Sequence, residues 1–147
     1  MNETIEFRIN FTATYYKSPP GIIITIDDDV KFTGKISNNK QLVKFNHTLN
    51  FSDPHKLQIN RKFAEADQML VIDSIFIDHV DVKNIIWEYS YFEPEYPEPW
   101  ATEQHQQGHV LEPKVIGETW LGHNGIWTLN FSSPFYRYLM LAMNQDL

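Results

Sequence analysis

The chain has 147 residues, of which 42% are hydrophobic and 14% aromatic, and it contains no cysteine. This length and composition predict one folded domain over residues 1–147 and exclude disulfides, thiolate metal sites and a thiol nucleophile. The formal charge is −7, and residues 85–147 carry two Lys or Arg against eight Asp or Glu. Because nucleic acids and anionic membranes attract cationic surfaces, this charge argues against both as partners.

The first half of the chain predicts a series of short strands. Residues 4–16 alternate apolar and polar side chains, which is the period-two pattern of a half-buried strand and not the start of a signal peptide. Two apolar runs, Ile22–Ile26 and Val30–Ile36, surround three aspartates and predict a hairpin. Alternation resumes over residues 43–51 and 57–61, which predicts two further strands.

The middle of the chain predicts two more strands after a charged loop at Lys62–Gln68. The apolar residues of Met69–Val82 predict a strand buried on most of both faces, with a bulge near Asp73. Ile85–Phe92 is rich in aromatic and β-branched residues, which favour a strand.

Residues 93–117 differ from the preceding chain in composition. Four prolines and five glutamates lie in this segment: Glu93, Pro94, Glu95, Pro97, Glu98, Pro99, Glu103, Glu112 and Pro113. Their density predicts an irregular arm without helix or strand. Long irregular segments are uncommon inside compact domains and are often functional or interfacial.

The C-terminal part predicts a hairpin and a closing helix. Glu118–His123 and Ile126–Phe131 flank Asn124-Gly125, a strong hairpin signal. The pair Ser133-Pro134 predicts a helix start that leads into Phe135–Met143, although this apolar run is also compatible with a buried strand. About eight to ten short strands in all predict an all-β fold, a β-sandwich or jelly roll with a short C-terminal helix.

No residue pattern predicts catalysis, because a nucleophile elbow and a phosphate-binding glycine loop are both missing. The run Asp27–Asp29 suits calcium, but aspartates in a hairpin more often serve the turn itself. Asp73 and Asp78 fall on opposite faces of one strand unless a bulge intervenes, so a shared site is not expected. His105 and His109 lack the helix that a zinc motif needs. We therefore predict no enzyme, no metal site and no cofactor, with calcium left open.

The aromatic residues between Trp87 and Trp100 are the most suggestive functional feature. Flat rings on a sandwich face or loop stack on sugars and also anchor protein interfaces. Trp87 is expected to fill the core from a strand, whereas neighbouring prolines keep Tyr96 and Trp100 out of it. Trp120 and Trp127 are expected to pack across the hairpin. The predicted contact residues for a partner or glycan are Tyr91, Phe92, Tyr96 and Trp100.

Two parts of the chain resemble known protein families. The segments FNHTLNFSDPHKLQI and QMLVIDSIFIDHVDV, residues 45–59 and 68–82, resemble the jelly-roll carbohydrate-binding modules. The segments YFEPEYPEPW and WLGHNGIWTLNFSSPFYRYL, residues 91–100 and 120–139, look like small structural proteins of tailed bacteriophages, of the marine and cyanobacterial myovirus type. The first resemblance implies a glycan partner, and the second implies a capsid decoration or a tail or baseplate component.

Two hypotheses about function follow from these resemblances. The leading one is a non-enzymatic virion protein of a tailed phage, assembled in the host cytoplasm, which contacts other virion proteins or further copies of itself. The alternative is a carbohydrate-binding module that recognises glycans by aromatic stacking. In the leading hypothesis the arm at residues 93–117, or the chain termini, makes the contact with the partner.

Overall fold

The computed structural model describes residues 1–51 and 54–144 and confirms the predicted all-β fold with a short C-terminal helix. In this part of the chain, ten strands form two antiparallel sheets that pack as a β-sandwich. The strands are β1 (Asn2–Thr14), β2 (Gly21–Ile26), β3 (Asp29–Lys35), β4 (Lys40–Asn50), β5 (His55–Lys62), β6 (Met69–Ile77), β7 (Val80–Asp81), β8 (Ser90–Glu95), β9 (Val115–Ile116) and β10 (Asn124–Phe131). The helices are α1 (Lys83–Tyr89), α2 (Trp100–Gln106) and α3 (Phe135–Asn144).

The two sheets enclose an apolar core between their inner faces. One sheet has four strands in the order β4-β1-β6-β7, and the other has six in the order β3-β2-β5-β10-β8-β9. Alternate side chains of β1 and β5 are buried, as the two-residue period of a strand requires. Large, fully buried apolar side chains come from both sheets: Phe7, Phe11, Ile24, Ile59 and Trp127.

Two tight turns are made by residue pairs in the left-handed backbone conformation. In the hairpin between β2 and β3, Asp27 and Asp28 have φ angles of 51° and 69°. Between β6 and β7, Asp78 and His79 have φ angles of 49° and 69°. Positive φ at both positions of a two-residue loop matches the twist of the flanking strands, and aspartate tolerates this conformation. The predicted hairpin between β2 and β3 is confirmed.

Strand β6 contains the bulge predicted near Asp73. On the neighbouring strand β1, Asn10 pairs with Ser74 and Phe11 pairs with Ile72, so Asp73 has no residue opposite it. Such an extra residue bends a strand and re-aims its side chains. Here Ile72 is buried and Asp73 is exposed.

The predicted strand over Ile85–Phe92 is wrong in its first half, which forms helix α1. Four side chains pack toward the core with the i, i+3, i+4, i+7 spacing of a helix: Val82, Ile85, Ile86 and Tyr89. The Asp81 carboxylate accepts a hydrogen bond of 3.0 Å from the Lys83 N–H at the start of the helix. Burial of this face overrides the strand propensity of the individual residues. The second half of the segment, from Ser90, forms β8.

The prediction that residues 93–117 contain no regular structure is also wrong. Strand β8 continues into this arm, helix α2 lies in its middle and β9 pairs with β8 near its end. Helix α2 is stabilised at its start, because the Glu98 carboxylate accepts hydrogen bonds from the N–H and the hydroxyl of Thr102. The prolines of the arm therefore separate short elements and do not prevent them.

The predicted hairpin at Asn124-Gly125 does not form, because both residues belong to strand β10. Gly125 has a φ of 152°, and a Cβ atom at this position would lie 2.4 Å from the carbonyl oxygen of Glu93 on β8. The glycine therefore permits a close approach of two strands. Trp127 is fully buried and Trp120 lies at the surface, so these two residues do not pack across a hairpin.

Residues 117–123, which we call the bridging segment, connect the edges of the two sheets. Trp120 forms an antiparallel bridge with Val71 of β6. At the start of the segment, the Gly117 N–H donates a hydrogen bond of 2.9 Å to the Ser90 carbonyl of β8. The strand predicted at Glu118–His123 is thus replaced by a short irregular connection along β6.

Helix α3 confirms the predicted helix at Phe135–Met143, and the alternative of a buried strand is wrong. The Glu3 carboxylate of β1 accepts hydrogen bonds from the Ser133 hydroxyl and, at 2.7 Å, from the Phe135 N–H. These contacts satisfy an amide at the helix N-terminus and join the two ends of the fold. No helix in the described residues is long and apolar enough to cross a membrane.

Candidate functional site

Two predicted contact residues, Tyr96 and Trp100, lie together on the arm. Their ring centroids are 6.1 Å apart, and His123 of the bridging segment lies 5.1 Å from Tyr96 and 5.4 Å from Trp100. We call these three side chains the arm cluster. Because the rings contact one another, each has less surface left for a partner, and Trp100 is only 37% exposed.

Further interactions fix the arm cluster in place. The Tyr96 hydroxyl donates a hydrogen bond of 2.5 Å to the Glu112 carbonyl. Burial, with a contribution from the Glu112 charge, raises the pKa of Tyr96. Burial, with a contribution from the Arg61 charge, lowers the pKa of His123 below 6.5, so that its ring is neutral at pH 7. The arm cluster is therefore an uncharged packing contact between the arm and the bridging segment.

The other two predicted contact residues, Tyr91 and Phe92, lie on opposite faces of β8. Phe92 is buried in the core, which leaves no ring face for a partner and corrects its predicted contact role. Tyr91 is half-buried on the outer face, and the Lys114 ammonium lies 3.9 Å from its ring centroid. A cation over the ring occupies one of its two faces. The structure thus brings Tyr96 and Trp100 together, keeps Tyr91 apart from them on the outer face, and places the buried Phe92 in the lining of the same pocket as Tyr96.

A cavity of about 530 Å³, which we call the Trp87 groove, lies beside helix α1. The buried side chains of Ile72 and Ile86 give it an apolar floor, and the Trp87 side chain in its wall is 73% exposed. Polar side chains complete the lining: Asp73, Ser74, Asp81, Lys83, Asn84 and Thr119. An exposed indole, an apolar floor and a polar rim thus meet in one concave site.

The helical period of α1 and the backbone of Gly117 position the indole. Because Ile85 and Ile86 face the core, the helix turns Trp87 outward. Gly117 has a φ of 73°, and a Cβ atom there would lie 2.6 Å from the Trp87 carbonyl oxygen. Only glycine permits this close approach of the bridging segment, which forms part of the groove wall.

Two side chains of strand β1 form hydrogen bonds with side chains of the polar rim. The Thr12 hydroxyl donates a hydrogen bond to the Asp73 carboxylate, and the Asn10 amide donates one of 2.9 Å to the Ser74 hydroxyl. Side chains held by such supporting contacts keep their orientation before a ligand arrives. Both pairs depend on the bulge at Asp73, which sets the alignment of β6 with β1.

The rim offers both donors and acceptors of hydrogen bonds. Asp73 and Asp81 contribute carboxylates, which accept, and Lys83 contributes an ammonium, which donates. The Asn84 amide does both. This mixture suits a ligand with many hydroxyl groups, because each hydroxyl both donates and accepts.

Sequence reasoning missed the Trp87 groove because it assigned Trp87 to a core strand. The helical spacing of the buried residues around it is visible in the sequence and would have placed the indole outside. Asp73 and Asp78 do not share a site, as predicted, because only Asp73 lines the groove. Asp78 lies in the turn after β6, whereas the bulge and this turn bring Asp73 and Asp81 to the same groove.

A smaller pocket of about 360 Å³ lies next to the Trp87 groove along the bridging segment. Its wall includes Trp120, which is 57% exposed, together with Tyr96 and His123 of the arm cluster. Gly117 and Thr119 line the Trp87 groove, whereas Glu118, Trp120 and Gly122 line this second pocket. Alternate residues of the bridging segment thus contribute to two neighbouring concave surfaces.

The aspartates considered for calcium serve the β2–β3 turn. Asp27 accepts a hydrogen bond of 2.9 Å from the Lys56 N–H and contacts His55 Nδ1 at 2.6 Å. Asp28 forms an ion pair of 3.4 Å with the Lys56 ammonium. No group of three or more His, Asp or Glu side chains in residues 1–51 and 54–144 is placed to hold a metal ion. Because calcium takes six to eight oxygen ligands, this donor set does not fit it.

The fold is similar to solved structures of one carbohydrate-binding module, vCBM60. Its complex with galactobiose has a TM-score of 0.52 and 10% identity, and the alignment covers 85% of this chain and 98% of that chain. Its selenomethionine form, from work on two families of calcium-dependent carbohydrate binding modules, has a TM-score of 0.54 and 9% identity, and the alignment covers 85% of this chain and 89% of that chain. No protein-family model and no curated protein sequence matches the chain.

These comparisons confirm the predicted jelly-roll sandwich. They agree with the resemblance of residues 45–59 and 68–82 to jelly-roll carbohydrate-binding modules. None of them supports the resemblance of residues 91–100 and 120–139 to phage structural proteins. The TM-scores of 0.52 and 0.54 establish a common fold, whereas identities of 10% and 9% assign no role to any side chain.

Proposed function

We propose that this chain is a non-catalytic carbohydrate-binding module and that its sugar site is the Trp87 groove. One observation carries the proposal: an exposed indole adjoins an apolar floor and is surrounded by hydrogen-bonding side chains. The fold shared with vCBM60, which was solved with galactobiose, supports the same class of function. The proposal agrees with the alternative hypothesis from the sequence, a carbohydrate-binding module, but it assigns the stacking role to Trp87 instead of Tyr96 and Trp100.

The physical chemistry of a sugar ring matches this groove. A pyranose ring has a face of C–H groups, which stacks on an aromatic ring, and a rim of hydroxyl groups. Trp87 supplies the aromatic surface, while Asp73, Asp81 and Asn84 supply partners for the hydroxyls. The volume of about 530 Å³ lies within the usual range of small-ligand sites, roughly 300–1,000 Å³.

The charge of the groove favours neutral glycans. Asp73 and Asp81 outnumber the one ammonium, that of Lys83, and the whole chain carries a net charge of −7. A uronic acid or a sulfated sugar would meet repulsion from like charges at this site. We therefore propose neutral oligosaccharides as the ligand class.

Replacing Trp87 by alanine tests the proposal. The wild-type chain is expected to bind at least one member of an array of neutral oligosaccharides that includes galactobiose. Trp87→Ala removes the stacking surface and is expected to weaken this binding at least about tenfold, which corresponds to about 1.4 kcal/mol. Isothermal titration calorimetry with the oligosaccharide selected on the array measures the change.

Trp100→Ala is the matched control, because it removes an indole from the arm cluster and leaves the groove intact. This variant is expected to keep the wild-type affinity within about twofold. If Trp100→Ala abolishes binding and Trp87→Ala does not, the sugar site lies on the arm. Failure of the wild-type chain to bind any neutral glycan would reject the function itself.

A further inference from the structure

Phe63 combines high exposure with an unfavourable backbone conformation. It directly follows β5, its side chain is 86% exposed and its φ angle is 55°. A bulky side chain is disfavoured in the left-handed region because its Cβ atom crowds the neighbouring carbonyl oxygen. With the ring in solvent, packing of Phe63 does not compensate for this conformation.

The surrounding chain enforces the conformation of Phe63. Directly after it, the Ala64 N–H donates a hydrogen bond of 2.7 Å to the Asn124 side-chain oxygen of β10. Farther along the same loop, the Gln68 oxygen accepts a hydrogen bond of 3.2 Å from the fully buried Arg61. Strained residues persist only where neighbouring structure over-determines them, and they concentrate at ligand-binding sites. The strain at Phe63 thus points to a role for its exposed ring.

A pocket of about 380 Å³ adjoins this ring. Polar side chains from the ends of β5, β8 and β10 line it together with Phe63: Asn60, Arg61, Lys62, Glu95 and Asn124. They supply two amides, one ammonium, one guanidinium and one carboxylate, so that the lining has both donors and acceptors. The Arg61 guanidinium is fully buried and donates hydrogen bonds to the Leu121 carbonyl and the Gln68 oxygen, and the two exposed charged side chains, Lys62 and Glu95, carry opposite charges. The pocket shares no lining residue with the Trp87 groove.

We infer that Phe63 and this pocket form a second carbohydrate subsite, which binds a neutral oligosaccharide independently of the Trp87 groove. The inference rests on the proposed function. A single exposed ring beside polar side chains, whose exposed charges balance, matches the two surfaces of a sugar. A protein partner would instead favour an aromatic anchor within apolar surroundings, which the lining of this pocket does not provide.

The strain argument makes a prediction that needs no ligand. Phe63→Gly removes the Cβ atom that disfavours the left-handed region and is expected to raise the Tm by about 3 °C. Phe63→Leu keeps the Cβ atom and removes only the ring, so its Tm is expected to stay within about 1 °C of wild type. A lower Tm for Phe63→Gly would show that the conformation is not strained and would overturn the inference.

Titration of ¹⁵N-labelled chain, followed by amide chemical shifts, tests the subsite directly. Galactobiose, cellotetraose, xylotetraose and N-acetyl-chitotetraose serve as probes. At least one probe is expected to shift two separate sets of amides, one around residues 72–87 and 117–119 and one around residues 60–64, 95 and 124. Phe63→Gly and Phe63→Leu are expected to lose the second set and to keep the first, whereas Phe63→Tyr keeps both.

The outcomes distinguish this inference from the proposed function. Shifts confined to the Trp87 groove with every probe would overturn the second subsite and leave the proposed function standing. Retention of the second set in Phe63→Leu would also overturn it, because the ring would then play no part. The absence of shifts with all four probes would count against the proposed function and the subsite together.

Discussion

The four tryptophans of the chain have four different surroundings. Trp127 is fully buried between the sheets, and its indole N–H lacks a hydrogen-bond partner among the described residues. Trp100 packs against Tyr96 and His123. Trp120 and Trp87 project from the surface into neighbouring pockets. Only an aromatic ring with an open face can stack on a sugar, and Trp87 has the most open one of the four.

Two histidines link the stability of the chain to pH. Burial is the main cause that lowers the pKa of His47 and of His123 below the ordinary value of 6.5. Below pH 6.5 the two rings become protonated in the unfolded chain while they are still neutral in the folded chain. The unfolded state therefore binds more protons than the folded state in this pH range. The stability linked to these neutral rings is present above pH 6.5 and is lost as the pH falls toward the lowered values.

We expect the free energy of unfolding, measured in urea, to fall between pH 7.5 and pH 5.5. In the double variant His47→Gln, His123→Gln the fall is expected to be smaller, because this variant lacks both titrating rings. Carboxylates titrate alike in the two chains and cancel in the comparison. An equal fall in both chains would contradict the assignment.

Strands with alternating apolar and polar side chains were predictable from the sequence. Elements that depend on packing against residues far away in the chain were not. β1 alternates over its whole length, and the bulge in β6 was predicted near Asp73, where it occurs. Helix α1 is only seven residues long, and four of these residues favour strands: Ile85, Ile86, Trp87 and Tyr89. The helical spacing of its apolar residues is present in the sequence, but the propensities of the same residues favour a strand, and the packing of the apolar side on the sandwich decides between the two.

The C-terminal helix depends on a residue at the other end of the chain. The Glu3 carboxylate accepts hydrogen bonds from Ser133 and from the Phe135 N–H at the start of α3. Glu3→Ala removes the oxygen that accepts both hydrogen bonds and is expected to lower the free energy of unfolding by about 1–2 kcal/mol in urea. Glu3→Gln keeps an acceptor oxygen and is expected to retain most of the stability. Equal stability of all three chains would show that the contact does not support α3.

On the scale of the whole molecule, each concave surface of the sandwich is lined by residues from several separate segments of the chain. The Trp87 groove takes its lining from β6, β7, α1 and the bridging segment. Tyr96 and Trp100 were predicted as contact residues from their position among prolines, but only the folded chain shows that His123 packs against their rings. Side chains from distant positions meet in the site, and for this reason the sequence indicated aromatic contacts without locating the groove.

The donor groups of the sandwich lead to a prediction about metal ions. The described residues contain no group of three or more acidic or histidine side chains suited to a metal. We therefore expect glycan binding to be equal in 5 mM EDTA and in 5 mM CaCl₂, concentrations of about this size being ample for typical calcium sites. Titration calorimetry with the selected oligosaccharide makes the comparison. Loss of binding in EDTA would indicate calcium ligands among backbone oxygens or outside the described residues.

The strand order of the six-stranded sheet also determines when the chain can complete its fold during synthesis. Strand β5 pairs with β10, and Arg61 lies opposite Gly125. At roughly 5–20 residues per second, the ribosome needs about 3–13 s to make the residues between them. During this interval one edge of β5 remains unpaired, and open strand edges attract other chains. The unpaired edge of β5 therefore stays open to misassembly until β10 has been made.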